Sequence, residues 1–282
     1  MLVIGLMLSA AIAYASRGTW RPWVEALQRP AIPVATPFTS PTSTTLPRPA
    51  SASTTTAGGV ATTTRSPAKP PKPVPATTTV AVTDPFEFSG PRPVEMNLAV
   101  PFMLQAPKQN WDMPYQEACE EASLLMTVNF LNGRSTDFSP DESDRLILDL
   151  VDYETRQGDP PDVTLSRIAD IARNRYGLRT RLTSVTSIDQ IKNAVANGYP
   201  VIIPASGKAL KNPNFRNGGP PYHMVVVKGY LSDGRIITND PGTRKGKEYV
   251  YGASLFLNAI HDWNDGDVPN GDKVALVLLP KK

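Results

Sequence analysis

The sequence predicts an α+β domain over residues 85–282, because helical periodicities fill its first half, short β-rich runs fill its second, and an Asp-Gly turn joins two of those runs. Met96 to Leu104 has strand-like character and leads into a loop rich in Pro, Asn and Trp. Glu117 to Leu131 then reads as a helix closed by Asn132-Gly133. Ala122, Met126 and Phe130 recur there at four-residue spacing, with Leu125 and Val128 beside them, so one face is expected to be buried. A second helix is expected from Ser139 to near Thr155, with Pro140 at its first position and Asp141, Glu142 and Asp144 near the positive end of its dipole. A third spans Thr164 to Tyr176 with Gly177 as terminator, and a fourth spans Ser187 to Asn197 with Gly198 beyond it. Strands are expected at 200–204, 222–230, 235–239, 248–251 and 273–279. Asp233-Gly234 is a two-residue hairpin signal, so the second and third of these runs should pair antiparallel.

The chain has 282 residues, and only its C-terminal part has the composition of a folded core. Leu2 to Ala15 is an apolar run ending in Ala13-Tyr14-Ala15, shorter than the roughly 18 to 20 residues that cross a bilayer comfortably. Residues 1–20 are therefore expected to be a signal peptide or an N-terminal membrane anchor, although Arg17 and Arg21 follow the run instead of preceding it. Residues 21–84 are expected to form a Pro/Thr-rich disordered linker: Thr39 to Asp84 contains no aromatic residue and cannot bury enough apolar surface to offset its ordering entropy. Such a sequence suits a stalk in an extracellular or cell-surface protein, either secreted or membrane-anchored.

The formal charge of +3 comes from the first 84 residues, where Lys and Arg outnumber acids seven to two, against 22 to 24 in the remainder. The domain lacks the concentrated positive face of a nucleic-acid binder, so nucleic acid is not an expected partner. One cysteine excludes an internal disulfide, and no Cys/His spacing for structural zinc is present. No cofactor and no metal is expected.

The single cysteine, Cys119, falls in the first turn of the first helix, where unpaired N–H groups and the helix dipole favour a thiolate. Glu120 and Glu121 oppose that unless they point away or are paired. Of two histidines, His223 begins a strand after the flexible 217–221 loop, while His261 lies in a polar loop and is the weaker candidate base. The hairpin places Asp240 beside the strand of His223, where its carboxylate can orient the imidazole; Asn239 is the alternative, although strand alternation turns it to the other face.

Several motifs together resemble the C39-like peptidase family: Val100-Pro101-Phe102, Gln105-Ala106-Pro107, Cys119-Glu120-Glu121-Ala122-Ser123, Tyr222-His223-Met224-Val225-Val226 and Asn239-Asp240-Pro241-Gly242. The resemblance implies a papain-like cysteine peptidase fold and cleavage of amide bonds through a thioester, with Cys119, His223 and Asp240 as the catalytic group. It also implies an oxyanion-binding glutamine, for which Gln105 fits best and Gln109 and Gln116 stay open. A peptide or protein would be the substrate and the chain a monomer. Two rivals are a peptidoglycan endopeptidase of the NlpC/P60 kind, disfavoured by Glu-Glu-Ala after Cys119 where Ser-Gly is expected, and a non-catalytic surface binding module on the same scaffold.

Overall fold

The computed structural model describes residues 30–39 and 84–281; the N-terminal apolar run and most of the expected linker lie outside the described residues. Seven strands form one sheet: β1 (Met96–Asn97), β2 (Arg179–Ser184), β3 (Val201–Ala205), β4 (His223–Tyr230), β5 (Ile236–Asn239), β6 (Tyr249–Tyr251) and β7 (Val274–Leu279). Their order is β2-β7-β3-β4-β5-β6, with β1 added against β4, and every pairing is antiparallel. Three helices precede most of the sheet: α1 (Cys119–Leu131), α2 (Pro140–Gln157) and α3 (Leu165–Asn174). The helices α4 (Ile188–Ala196), α5 (Gly207–Leu210) and α6 (Ala253–Ala259) lie between strands. This is the α+β arrangement that the sequence predicts.

Local chemistry sets the helix ends. Ser139 caps α2 by accepting from the Glu142 N–H, Pro140 occupies the first turn, and Gly158 ends the helix at a left-handed φ of 82°. Thr164 caps α3 in the same way, and Ser187 with Gln190 forms a capping box on α4. The α1 helix departs from the expected single buried face, since every residue in it except Asn129 is buried. It occupies the core, touching β4, α2 and α3. Leu124, Met126 and Phe130 are fully enclosed, each contributing about 1.5–3 kcal/mol of apolar burial. The same position forces Glu120, Glu121, Ser123 and Thr127 inside with them. Ser123 Oγ donates to the Met224 carbonyl at 3.2 Å, tying the helix to β4.

The hairpin forms as expected: β4 and β5 pair with Val226 opposite Asn239, and the turn closes through Gly234 N–H to Leu231 O at 2.9 Å. Other elements were not legible. The strand β2 alternates Arg and Thr on a half-exposed edge and pairs along its whole length with β7, so its order comes from its partner and not from an apolar pattern of its own. The helix α6 has seven residues, fewer than a 3.6-residue period needs to declare itself. Of the expected strand from Met96 to Leu104, only Met96–Asn97 is regular. It approaches β4 so closely that a Cβ on Gly229 would sit 2.4 Å from the Met96 carbonyl oxygen. Residues 30–39, placed with the linker on composition, pack on the domain: Thr36 bridges Leu98 and the Phe38 ring meets Phe130 at 5.5 Å.

Candidate active site

Cys119 is the first residue of α1, and its side chain is almost wholly enclosed. Its thiol donates to Glu120 Oε2 at 2.9 Å, not to His223. Burial pushes the thiol well above its ordinary range, the Glu120 carboxyl and Glu121 push the same way, and the Met224 backbone N–H opposes them. The helix start was expected to stabilise a thiolate; burial first, and then acidic neighbours that neither point away nor carry a cation partner, act against it. Glu120 is itself driven well above the usual carboxylate range by burial, and the thiol beside it is held in its protonated form. Alkylation by iodoacetamide at pH 6.5 is therefore expected to be at least about tenfold slower for the folded protein than for free cysteine, with urea restoring the ordinary rate. Fast labelling of the folded protein would contradict this.

His223 and Asp240 come together. His223 opens β4, Asp240 follows the end of β5, and the ring Nε2 lies 2.8 Å from Asp240 Oδ1 with both side chains sealed from solvent. The carboxylate receives three further donors: Gly242 N–H on Oδ1 at 3.0 Å, and Tyr251 Oη at 2.7 Å and Asn212 Nδ2 at 3.2 Å on Oδ2. Burial alone would raise this carboxyl; attraction to the imidazole and the bonds from His223, Tyr251 and Gly242 reverse that and hold it below its usual value. Tyr251, raised by burial and by Asp240, stays a phenol and so a donor. Phe215 meets the imidazole edge-on at 5.2 Å. A Cβ on Gly242 would come within 2.8 Å of His223 Cε1, so the turn after Asp240 must be bare to seat the ring.

Gln105 bridges the two halves of the site. Its backbone N–H donates to Pro241 O at 3.1 Å, and its side-chain Nε2 donates to Tyr115 O and Gln116 O at 3.1 and 3.0 Å, in the turn that leads into Cys119. Both amide hydrogens are thereby engaged, while Oε1 is buried without a donor. The opposite amide orientation would set Oε1 against two carbonyls, so the one found is the sound one. Gln109 and Gln116 are exposed, the latter bonded to Glu117. Asn239 turns away, donating to Val100 O at 3.0 Å, and His261 Nδ1 is paired with Gly271 O at 3.0 Å.

Asn212, Tyr251 and Phe215 were missed in the sequence. They reach Asp240 or His223 from separate loops and strands, and nothing in their local pattern signals that meeting.

The Peptidase_C39 like family model matches residues 97–265. The chain belongs to that family, whose members are cysteine peptidase-type hydrolases in fold. A crystal structure described as that of a C39-like peptidase from Bacillus anthracis is similar at 17% identity, covering 67% of this chain and 99% of that one with a TM-score of 0.45. No curated protein matches the sequence. The family assignment rests on the family model and not on that superposition.

Proposed function

We propose that the protein is an exported cysteine peptidase that cleaves peptide bonds with Cys119 as nucleophile, His223 as base and acid, and Asp240 as the group that orients His223. The observation that carries this reading is the 2.8 Å bond between His223 Nε2 and Asp240 Oδ1, both sealed from solvent, on a strand tied through Ser123 to the helix that begins with Cys119. With Nε2 engaged, Nδ1 is the ring nitrogen left to take the thiol proton. Sulfur then attacks the amide carbon, the oxyanion collapses to a thioester as His223 protonates the departing amine, and water releases the acid. The Cys119 backbone N–H, which has no intrahelical acceptor, is one oxyanion donor. Gln105 is the other, on condition that it exchanges a loop carbonyl for the oxyanion. Export is supported by the apolar N-terminal run and the Thr/Pro-rich stretch after it.

The neutral resting thiol favours a second reading, a binding module that keeps the scaffold without turnover. The test is hydrolysis of a peptide library and of isolated cell walls by the full chain. Peptide cleavage that survives a chelator and is abolished by an alkylator supports the peptidase. Release of wall peptides alone moves the substrate to peptidoglycan, and binding without cleavage of either substrate leaves the module.

A further inference from the structure

Beside the helix that starts with Cys119 lies a cavity of about 160 Å³ with an acidic floor and apolar walls. Met113, Val151, Pro160 and Pro161 line its sides, and Glu121 of α1 and Glu154 of α2 close it. Both residues are more than nine-tenths buried, and beyond the hydrogen bond that the two carboxyls share, Glu121 Oε2 and Glu154 Oε1 meet no donor. Two buried carboxyl groups facing each other with unfilled oxygens are an expensive arrangement. The cations nearest them are committed elsewhere: Arg167 is paired with Asp159 at 2.7 Å and Arg175 with Asp149 at 2.5 Å.

We infer that this cavity is the subsite for a basic side chain of the peptide substrate, its alkyl stem between the apolar walls and its ammonium or guanidinium group on Glu121 and Glu154. The inference rests on the peptidase reading. The cavity shares Met113, Glu117, Pro160 and Pro161 with a wider opening of about 540 Å³, to which Asp162 and Trp263 are added. Trp263 packs on Tyr222 at 5.5 Å, next to His223 in sequence. The opening also includes Asp162, and the N–H of the next residue, Val163, donates to Glu120 at 3.4 Å, so it lies near the start of the Cys119 helix and leads from there toward the acidic floor. Burial, with Asp159 adding, lifts Glu154 to about 7, while the bond from Glu121 and the charges of Arg167 and Arg175 act the other way.

The test compares two pentapeptides that differ only in a central lysine or norleucine, which share a stem but not a charge. With the wild-type full chain at pH 8, kcat/KM is expected to favour lysine at least about tenfold. Glu154→Gln should bring the ratio near one, the larger loss falling on the lysine peptide. A ratio near one in the wild type, or a ratio unmoved by Glu154→Gln, overturns the subsite. If neither peptide is cleaved, the peptidase reading fails by itself, and the subsite is judged by calorimetric binding of the two peptides to Cys119→Ala protein. Tighter lysine binding supports the subsite and equal affinity overturns it.

Discussion

Asp240→Ala is expected to lower kcat/KM for peptide hydrolysis by about 10³- to 10⁴-fold, and Asp240→Asn by an order of magnitude or two less. The difference follows from the donors around the carboxylate. Oδ1 receives His223 Nε2 and the Gly242 N–H, a backbone donor that cannot reverse. Oδ2 receives Tyr251 Oη, a hydroxyl that can rotate to accept, and Asn212 Nδ2. An asparagine amide would therefore keep its oxygen toward His223 and Gly242 and turn its NH₂ to Tyr251. That preserves the tautomer in which Nδ1 can take the thiol proton, and only the negative charge that stabilises the imidazolium is lost. The NH₂ still opposes Asn212, which is fixed because its Oδ1 accepts from Asn214. One donor–donor conflict in the core costs about 1–3 kcal/mol of stability, so Asp240→Asn should melt lower than wild type while keeping more activity than Asp240→Ala. Alanine removes all four acceptor contacts and frees the ring. Equal losses for the two variants, measured as kcat/KM with folding checked by circular dichroism, would mean that Asp240 does not work through the orientation of His223.

The proximity of His223 and Asp240 was legible because Asp233-Gly234 fixes a hairpin register, and register fixes which strand ends meet. The helices α2, α3 and α4 were legible for the similar reason that caps and periodicity are local. What escaped was everything decided by burial on all sides. Periodicity gave α1 one buried face, whereas Glu120, Glu121, Ser123 and Thr127 are enclosed as well, in a helix packed by α2, α3 and β4. The state of the thiol followed from that error, since two glutamates on an exposed face would be solvated and harmless. The Tyr251 and Asn212 contacts were likewise hidden, as they join residues 11 and 28 positions away from Asp240.

The buried acids also set how stability responds to pH. Burial lifts Glu154 from 4.5 to about 7 and Asp162 from 3.8 to about 6, and raises Glu120 and Glu121 well above the carboxylate range. A carboxyl raised on folding binds its proton more tightly in the native state, so its contribution is complete below the unfolded value and is lost as pH climbs through the folded one. For Glu154 that window runs from 4.5 to about 7, and the loss amounts to about 3 kcal/mol. Asp240 works in the opposite sense, its depressed value withdrawing stability only as pH falls into strongly acid solution. Urea denaturation at pH 5, 6, 7 and 8 should therefore give an unfolding free energy that declines across the series, and Glu154→Gln should remove the Glu154 share of that decline while the share of Asp162, Glu120 and Glu121 persists. A wild-type profile that is level or rising over this range would mean that the acids around α1 are solvated or paired in solution. Lysine-bearing peptide should offset the decline at pH 8 and norleucine peptide should not, because only a cation replaces the lost proton. The instability at alkaline pH and the proposed preference for basic side chains are thus two consequences of one pair of glutamates enclosed without a counter-charge.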